Sequence, residues 1–322
     1  MSNPSVIIFG ATGGIGSIAA RVANEQGAKV FLALRDVNKP IPGLSPDEER
    51  ERGFERVQAD LTDVESIKAA VTKSGAKRAF IYLMFGVTDG MRSVIEALKS
   101  VGVDFVVFLS SSSVTDQSTG KGDDLTAVPP SEFIAFSHAQ VEINLQNIFG
   151  KGGYVAVRPS YFASNTLQWR SMIRTGEVKL VAPTVSFDYI ASSDISRVCA
   201  GFLVRGPKSP DGSPSPSFVT LCGPQMLSQK DALAAIGKAL GKELALKGVD
   251  QEEEGIEMFK ANGLPENIAR DLVRKLISRL KSNDRLYADD LYAEAVANVE
   301  KYGGHPPTGF AQWASENKEQ FL

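Results

Sequence analysis

The chain has 322 residues, 43 % of them hydrophobic and 23 % charged, with a formal net charge of −3. This is long enough for a sizeable core in one large or two intimate domains, and it carries no charge excess that would draw it to nucleic acid or a membrane surface. No apolar run approaches the ~18 residues that span a bilayer, and MSNPSVIIFGATGG passes from a few polar residues straight into a short apolar strand, unlike a secretory signal.

The first half alternates apolar runs with amphipathic segments. SVIIFGA (5–11), KVFLALR (29–35), FERVQAD (54–60), AFIYLM (79–84), FVVFLSS (105–111) and YVAVRPS (154–160) read as strands. Their nearly continuous apolar character fits strands buried on both faces of a parallel sheet. Helices are predicted over 14–26, 64–74, 88–101 and 131–149, and Pro40, Pro42 and Pro46 make 36–52 mostly loop. Strands and helices in alternation indicate a doubly wound α/β sheet.

After Pro159 the pattern changes. Residues 161–175 read as a helix, and VSFDYIASSDISRVCAGFL joins a strand-like piece to a helix starting near Ser193. The Pro/Ser/Gly-rich stretch 205–217 is an exposed loop, FVTLCG a further strand, and 228–242, 252–262, 265–282 and 287–301 are helices. The expected division is the α/β domain over 1–160, with 186–204 packing on it, and a smaller helix-rich region over 161–322, the chain crossing between the two. No internal repeat is evident. Cys199 and Cys222 sit in apolar settings and read as buried reduced thiols. With only two histidines in the chain, a zinc site is not expected, and the compartment is taken as reducing and cytoplasmic.

GATGGIG (10–16) carries the strongest chemical signal. It follows a predicted strand and opens a predicted helix, with glycines at 10, 13 and 16. Glycine permits a tight turn and lets backbone N–H groups approach a pyrophosphate at the positive end of the helix. The second strand ends in LALRD. Arg35 there would accept a 2′-phosphate, favouring NADP(H); if Asp36 pointed at the ribose instead, NAD(H) would be preferred. Asp60-Leu61-Thr62-Asp63 closes the third strand, where Asp60 could accept from an adenine amino group and Asp63 could cap the next helix.

GATGGIG, Asp60-Leu61, the serine-ending FLSSSS, RPSYF at 158–162 with Asn165 after it, and the tail YGGHPPTGFAQWASEN together resemble the NmrA-like group of the atypical short-chain dehydrogenase/reductase superfamily. The resemblance runs in order over nearly the whole chain. It implies a Rossmann-type domain binding NADP(H) or NAD(H) and a small C-terminal substrate region, in a group holding both reductases and non-catalytic cofactor sensors. It places Gly10, Thr12, Gly13, Gly14, Ile15 and Gly16 at the pyrophosphate, Arg35 near the 2′-phosphate, and Asp60 and Leu61 near adenine. Met84 and Phe85 would line the nicotinamide ribose, and Pro159 through Tyr161 to Phe162 the carboxamide. Ser112 is the serine expected to polarise a substrate, although a strand-end serine run also serves to satisfy loose backbone groups.

One stretch departs from the superfamily pattern. The catalytic pair Tyr-x-x-x-Lys belongs on the helix after the fifth strand, but no tyrosine or lysine lies between residues 131 and 150. Counting back from Glu142, His138 takes the lysine position and Ile134 the tyrosine position; the other register, Phe136 with Gln140, does no better. His138 shares a helical stripe with Ile134, Val141, Leu145 and Ile148, so it reads as a ribose ligand, a packing residue or a proton donor.

Three functions are compatible with this pattern. A reductase would pass hydride from NADPH to a small organic electrophile that needs little acid help, such as an iminium, a quinone or an activated alkene. Its candidate catalytic residues are Ser112, His138 and Tyr161, and its pocket Phe85, Ser112, Phe162, Asn165, Trp169, Asp188 and Tyr189. A sensor would bind NADP(H) and report its redox state to a protein partner. A cyclase would keep the cofactor as scaffold for a non-redox step. The loop 115–128 is a candidate lid. RDLVRKLISRLK (270–281) is an amphipathic helix that packs on a core or meets a partner, and His305 reads as loop structure.

Overall fold

The computed structural model describes residues 3–115, 124–282 and 287–322. The elements run β1 (Ser5–Phe9), α1 (Gly14–Glu25), β2 (Lys29–Leu34), α2 (Pro46–Glu51), β3 (Glu55–Gln58), α3 (Val64–Ser74), β4 (Arg78–Tyr82), α4 (Arg92–Ser100), β5 (Phe105–Leu109), α5 (Phe133–Phe149) and β6 (Tyr154–Pro159). They continue α6 (Arg170–Thr175), β7 (Glu177–Val181), β8 (Ser186–Phe187), α7 (Ser192–Arg205), β9 (Phe218–Leu221), β10 (Leu227–Ser228) and α8 (Gln229–Leu240). The last are β11 (Ala245–Val249), α9 (Glu252–Ala261), α10 (Glu266–Ser282), α11 (Asp289–Gly303) and α12 (Phe310–Glu316).

The chain divides into two compact units. The first comprises Met1–Pro159, Ser192–Leu221 and Ala293–Pro306; the second comprises Ser160–Ala191, Cys222–Tyr292 and Pro307–Leu322. Three segments depart from the boundaries expected from sequence: 205–221 and 293–306 belong with the first unit, and 186–191 with the second.

Seven parallel strands form the sheet of the first unit, in the order β3-β2-β1-β4-β5-β6-β9. The chain leaves β1 toward β2 and β3 on one side and later returns to β4, β5 and β6 on the other. That reversal makes β1/β4 the topological switch point, with ligands expected beyond the strands' carboxyl ends. Helices α3, α4 and α5 close one face around Ile7, Phe31, Ile81, Val106 and Phe108. Helices α1 and α7 pack together, with Ser196 Oγ donating to the Ile15 carbonyl at 3.0 Å. This is a Rossmann-type doubly wound sheet.

The strands are shorter than their apolar runs, and they end just before the residues of interest. Gly10, Arg35, Asp60, Met84 and Ser110 all lie past the last paired residue of their strand. Residues 36–52 are not all loop, since α2 lies within them. Pro46 occupies the first helical turn, where a missing N–H costs nothing, and Ser45 with Glu48 forms a reciprocal capping box. Asp63 caps α3 by accepting from the amides of Glu65 and Ser66.

In the second unit, residues 161–175 form a 3-10 stretch, Ala163–Trp169, that passes into the short α6, not the single helix expected. Two small sheets, parallel β7/β11 and antiparallel β8/β10, accompany the helices. Trp169, Ile173, Tyr189, Leu233, Phe310 and Trp313 are among its core residues.

Candidate functional site

The turn after β1 is built from close approaches. Gly10 has φ +74°, and a Cβ there would lie 2.6 Å from Tyr82 Cε1. A Cβ on Gly16 would stand 2.3 Å from the Gly10 carbonyl oxygen, so the first turn of α1 packs directly on that backbone. The Gly13 amide donates to the same oxygen at 2.9 Å. Gly13 is the N-cap of α1, with no side chain capping it and no acidic residue in the first turn. Gly13 and Gly14 are exposed, and a Cβ on Gly14 would meet nothing within 4 Å. The positive end of a twelve-residue helix is thus left open to an anion.

Beside this turn lies a cavity of about 670 Å³. Gly10 and Thr12 line it from β1, Leu34, Arg35 and Asp36 from β2, Asp60 and Leu61 from β3, and Tyr82 and Met84 from β4. These are six of the sequence-predicted cofactor residues (Gly10, Thr12, Arg35, Asp60, Leu61, Met84), brought to one place from four strand ends. Asn38 and Lys39, in the loop toward α2, complete the wall. Asp36 Oδ1 accepts the Asn38 amide at 2.9 Å, so part of that carboxylate is committed to its own loop. Neither Arg35 nor Lys39 forms an ion pair among the described residues, and both are exposed. Two cations at the β2 end suit a phosphate, and the donor set therefore fits a phosphorylated adenosine.

Asp60 faces the same cavity. Its Oδ1 accepts the Thr62 amide at 2.9 Å and the Thr62 hydroxyl at 2.8 Å. The Thr62 amide, with the hydroxyl and the Arg35 charge, holds the carboxyl below its ordinary range. It is therefore an anionic acceptor at neutral pH.

Around β5 and β6 the structure shows a feature that sequence reasoning missed. Glu142 on α5 and Arg158 on β6, each 1 % exposed, form a two-pronged ion pair. Arg158 Nη2 donates to Oε2 at 2.6 Å and Nε to Oε1 at 3.0 Å. Ser110 Oγ donates to Oε1 at 2.5 Å, Arg158 Nη1 donates to Thr115 Oγ1 at 3.0 Å, and the guanidinium lies 3.8 Å from the Phe218 ring centre. Removing one partner would strand the other charge, a loss of about 3–5 kcal/mol. The available signal was one charge in each of two otherwise uncharged elements, Glu142 in FIAFSHAQVEINLQNIF and Arg158 in YVAVRP, since isolated buried charges demand partners.

His138 lies one turn before Glu142 and is 9 % exposed. Its Nδ1 is 2.8 Å from the Ile134 carbonyl oxygen, which can only accept, so Nδ1 carries the hydrogen. Burial lowers the imidazole's pKa, opposed by that hydrogen bond and by Glu142. The ring is neutral, with Nε2 as an acceptor, which fits a hydroxyl donor and not a proton-donating role.

Of the serine run, Ser110 is held by Glu142, and Ser111 Oγ accepts the Ser113 amide at 3.2 Å. Ser112 is buried and opens the 3-10 turn Ser112–Val114. Phe85 is 56 % exposed and stacks on Phe133 with ring centres 5.9 Å apart. Pro159, the last residue of β6, is buried. Residues 116–123 of the candidate lid lie outside the described residues.

The remaining predicted pocket residues belong to the second unit. Asp188 does not present a carboxylate to a pocket: Oδ1 accepts the Tyr161 amide at 3.1 Å and Oδ2 the Gly223 amide at 2.9 Å. Burial raises its pKa. Trp169 is 3 % exposed and packs in the core, so it is not an open aromatic wall. Tyr161 stacks on Phe187 at 4.0 Å and meets Tyr189 edge-on at 5.4 Å. Burial pushes both phenols up, so each stays protonated. Tyr189 has φ +46°, and its buried hydroxyl has no hydrogen-bond partner among the described residues. Phe162 bridges to Ile190, and Asn165 is exposed. No cluster of three His, Cys, Asp or Glu able to hold a metal occurs among the described residues.

The model of the NmrA-like family matches residues 2–284. The chain belongs to the NmrA-like family. It is 36 % identical over 326 residues to the nitrogen metabolite regulation-like protein bik4 of Gibberella fujikuroi, covering 98 % of this chain and 97 % of that one. Among solved structures it resembles the NADPH-dependent quinone oxidoreductase QOR2 of Escherichia coli complexed with NADPH, with a TM-score of 0.69 at 19 % identity, covering 97 % of this chain and 99 % of that one. It also resembles the triphenylmethane reductase of Citrobacter sp. complexed with NADP(H), with a TM-score of 0.67 at 16 % identity, covering 99 % and 100 %. This NmrA-like protein thus has the fold of enzymes and of a protein named for regulation.

Proposed function

We infer that this NmrA-like protein binds NADP(H) and reduces a small organic electrophile, such as a quinone, an iminium or an activated alkene. The observation that carries the reading is the pair of unpaired cations, Arg35 and Lys39, on the cavity beside the open N-terminus of α1. Arg35 and Lys39 hold the 2′-phosphate, Asp60 and Leu61 take the adenine, and the amides of Gly14 to Gly16 take the pyrophosphate. NADPH, when bound, supplies the hydride. His138 Nε2 accepts from a ribose hydroxyl, and Met84 and Phe85 flank the same end of the ligand. Ser112, a hydrogen-bonding group without an activating lysine, orients the acceptor. No residue of this set matches the acid of ordinary ketone reductases, which is why the substrate class is one whose hydride affinity suffices.

Purified protein with NADPH and a panel of quinones, iminium dyes and enones tests this. Oxidation of NADPH with at least one acceptor class, and none with simple ketones, is expected. A second reading is favoured by the relative named for nitrogen metabolite regulation: a non-catalytic sensor whose NADP(H)-bound form is read by a protein partner. Tight NADPH binding without turnover on any acceptor would replace the first reading by this one.

A further inference from the structure

We propose that Arg158 and Glu142 are positioning residues for the nicotinamide half of the dinucleotide. Their buried pair fixes the Ser110–Thr115 turn and the His138 face of α5 as one rigid wall. The proposal rests on the NADP(H) reading above and assigns a role to residues which that reading does not use.

Three elements meet at this pair. Arg158 belongs to the end of β6, Glu142 to the middle of α5, and Ser110 and Thr115 bracket the turn that follows β5. Arg158 Nη1, Nη2 and Nε are each hydrogen-bonded, and both oxygens of Glu142 accept. Phe218 covers the guanidinium face. Such a pair is weak evidence for stability, because desolvating both charges offsets their attraction; apolar side chains of similar volume would fill the space as well. What apolar side chains cannot supply is direction. The two-pronged geometry fixes α5 against β6 in rotation as well as distance. The hydroxyl bonds carry that constraint to both ends of the turn holding Ser112. His138 stands four residues before Glu142, on the same side of α5.

Position within the sheet assigns this wall to one half of the ligand. The cavity with Arg35, Lys39 and Asp60 is made by the ends of β1, β2, β3 and β4. The network is made by β5, β6 and α5, on the other side of the switch point. A dinucleotide crossing that point has its adenosine on the first side and its nicotinamide riboside on the second.

The experiment compares two probes on the full chain, adenosine 2′,5′-bisphosphate and NADPH, by fluorescence and calorimetric titration. The variant is the double substitution Glu142→Met with Arg158→Met, which removes both charges and keeps the volume. The expected result is an unchanged affinity for adenosine 2′,5′-bisphosphate and an NADPH affinity reduced about tenfold or more, a loss confined to coupled contacts on one side. The milder variants Ser110→Ala and Thr115→Val cut only the ties to the turn, and each should weaken NADPH by about threefold without touching the bisphosphate. Equal affinities for NADPH in all variants would overturn the proposal, as would parallel losses of both probes, which report a general structural role. Failure of the unaltered protein to bind adenosine 2′,5′-bisphosphate would overturn the NADP(H) reading itself and this proposal with it.

Discussion

His138 Nδ1 and the Ile134 carbonyl oxygen are joined at 2.8 Å within α5. Counted back from Glu142, these are the positions at which the superfamily pattern that the sequence resembles would place its Tyr-Lys pair. Here they bind each other. The imidazole thus keeps one neutral acceptor, Nε2, while its Nδ1 hydrogen is committed to the helix backbone.

Acidification should expose this state of His138. Burial depresses its pKa in the folded chain, whereas the unfolded value is about 6.5. A depressed group contributes stability that is complete above the unfolded value and is lost as pH falls toward the folded one. The melting temperature of the wild type should therefore drop more steeply from pH 7 to pH 5 than that of His138→Ala, whatever their offset. Parallel pH profiles would show that the imidazole charges freely in the folded state.

Two glycines of the first turn of α1, Gly14 and Gly16, should behave in opposite ways. Gly16→Ala drives a methyl into the Gly10 carbonyl and should destabilise the chain by about 1–3 kcal/mol in urea unfolding. Gly14→Ala meets open space and should keep or raise the melting temperature. It should nevertheless weaken NADPH, by about tenfold, because its methyl stands where the pyrophosphate approaches. Unchanged NADPH affinity in Gly14→Ala would move the ligand away from this helix end.

In the second unit, Asp188→Asn tests a structural assignment. The carboxylate accepts two backbone amides, from Tyr161 and Gly223, and an asparagine can accept through only one atom. A loss of about 1–3 kcal/mol is expected from the amide left without an acceptor. NADPH affinity should be unaffected in protein that remains folded. A change in affinity without a change in stability would return Asp188 to the binding residues.

Much of this architecture was legible because strands buried on both faces leave long apolar runs, and because a glycine turn between strand and helix has few other uses. Asp63 was readable as a cap for the same local reason. Pro46 misleads, because a proline reads as a break in structure although Ser45 and Glu48 around it spell a helix start. Lys39 was hidden in that Pro-rich loop, where no periodicity points a side chain toward the end of β2. Arg158 and Glu142 meet only through tertiary packing between a strand and a helix. Asp188 and Trp169 were assigned to a pocket by residue type, but a carboxylate can serve two amides and an indole can fill a core. Residue chemistry was visible in the sequence; the partner that consumes it was not.

The proposed seat of the NADP(H) 2′-phosphate in this NmrA-like protein lies between Arg35 and Lys39. Equilibrium titration of NADPH and NADH on the wild type, Arg35→Glu and Lys39→Ala tests it most directly. The wild type should prefer NADPH, and each variant should lose about tenfold or more in NADPH affinity with little change for NADH. Equal affinities of the wild type for the two cofactors, or equal losses of both in Arg35→Glu, would contradict it.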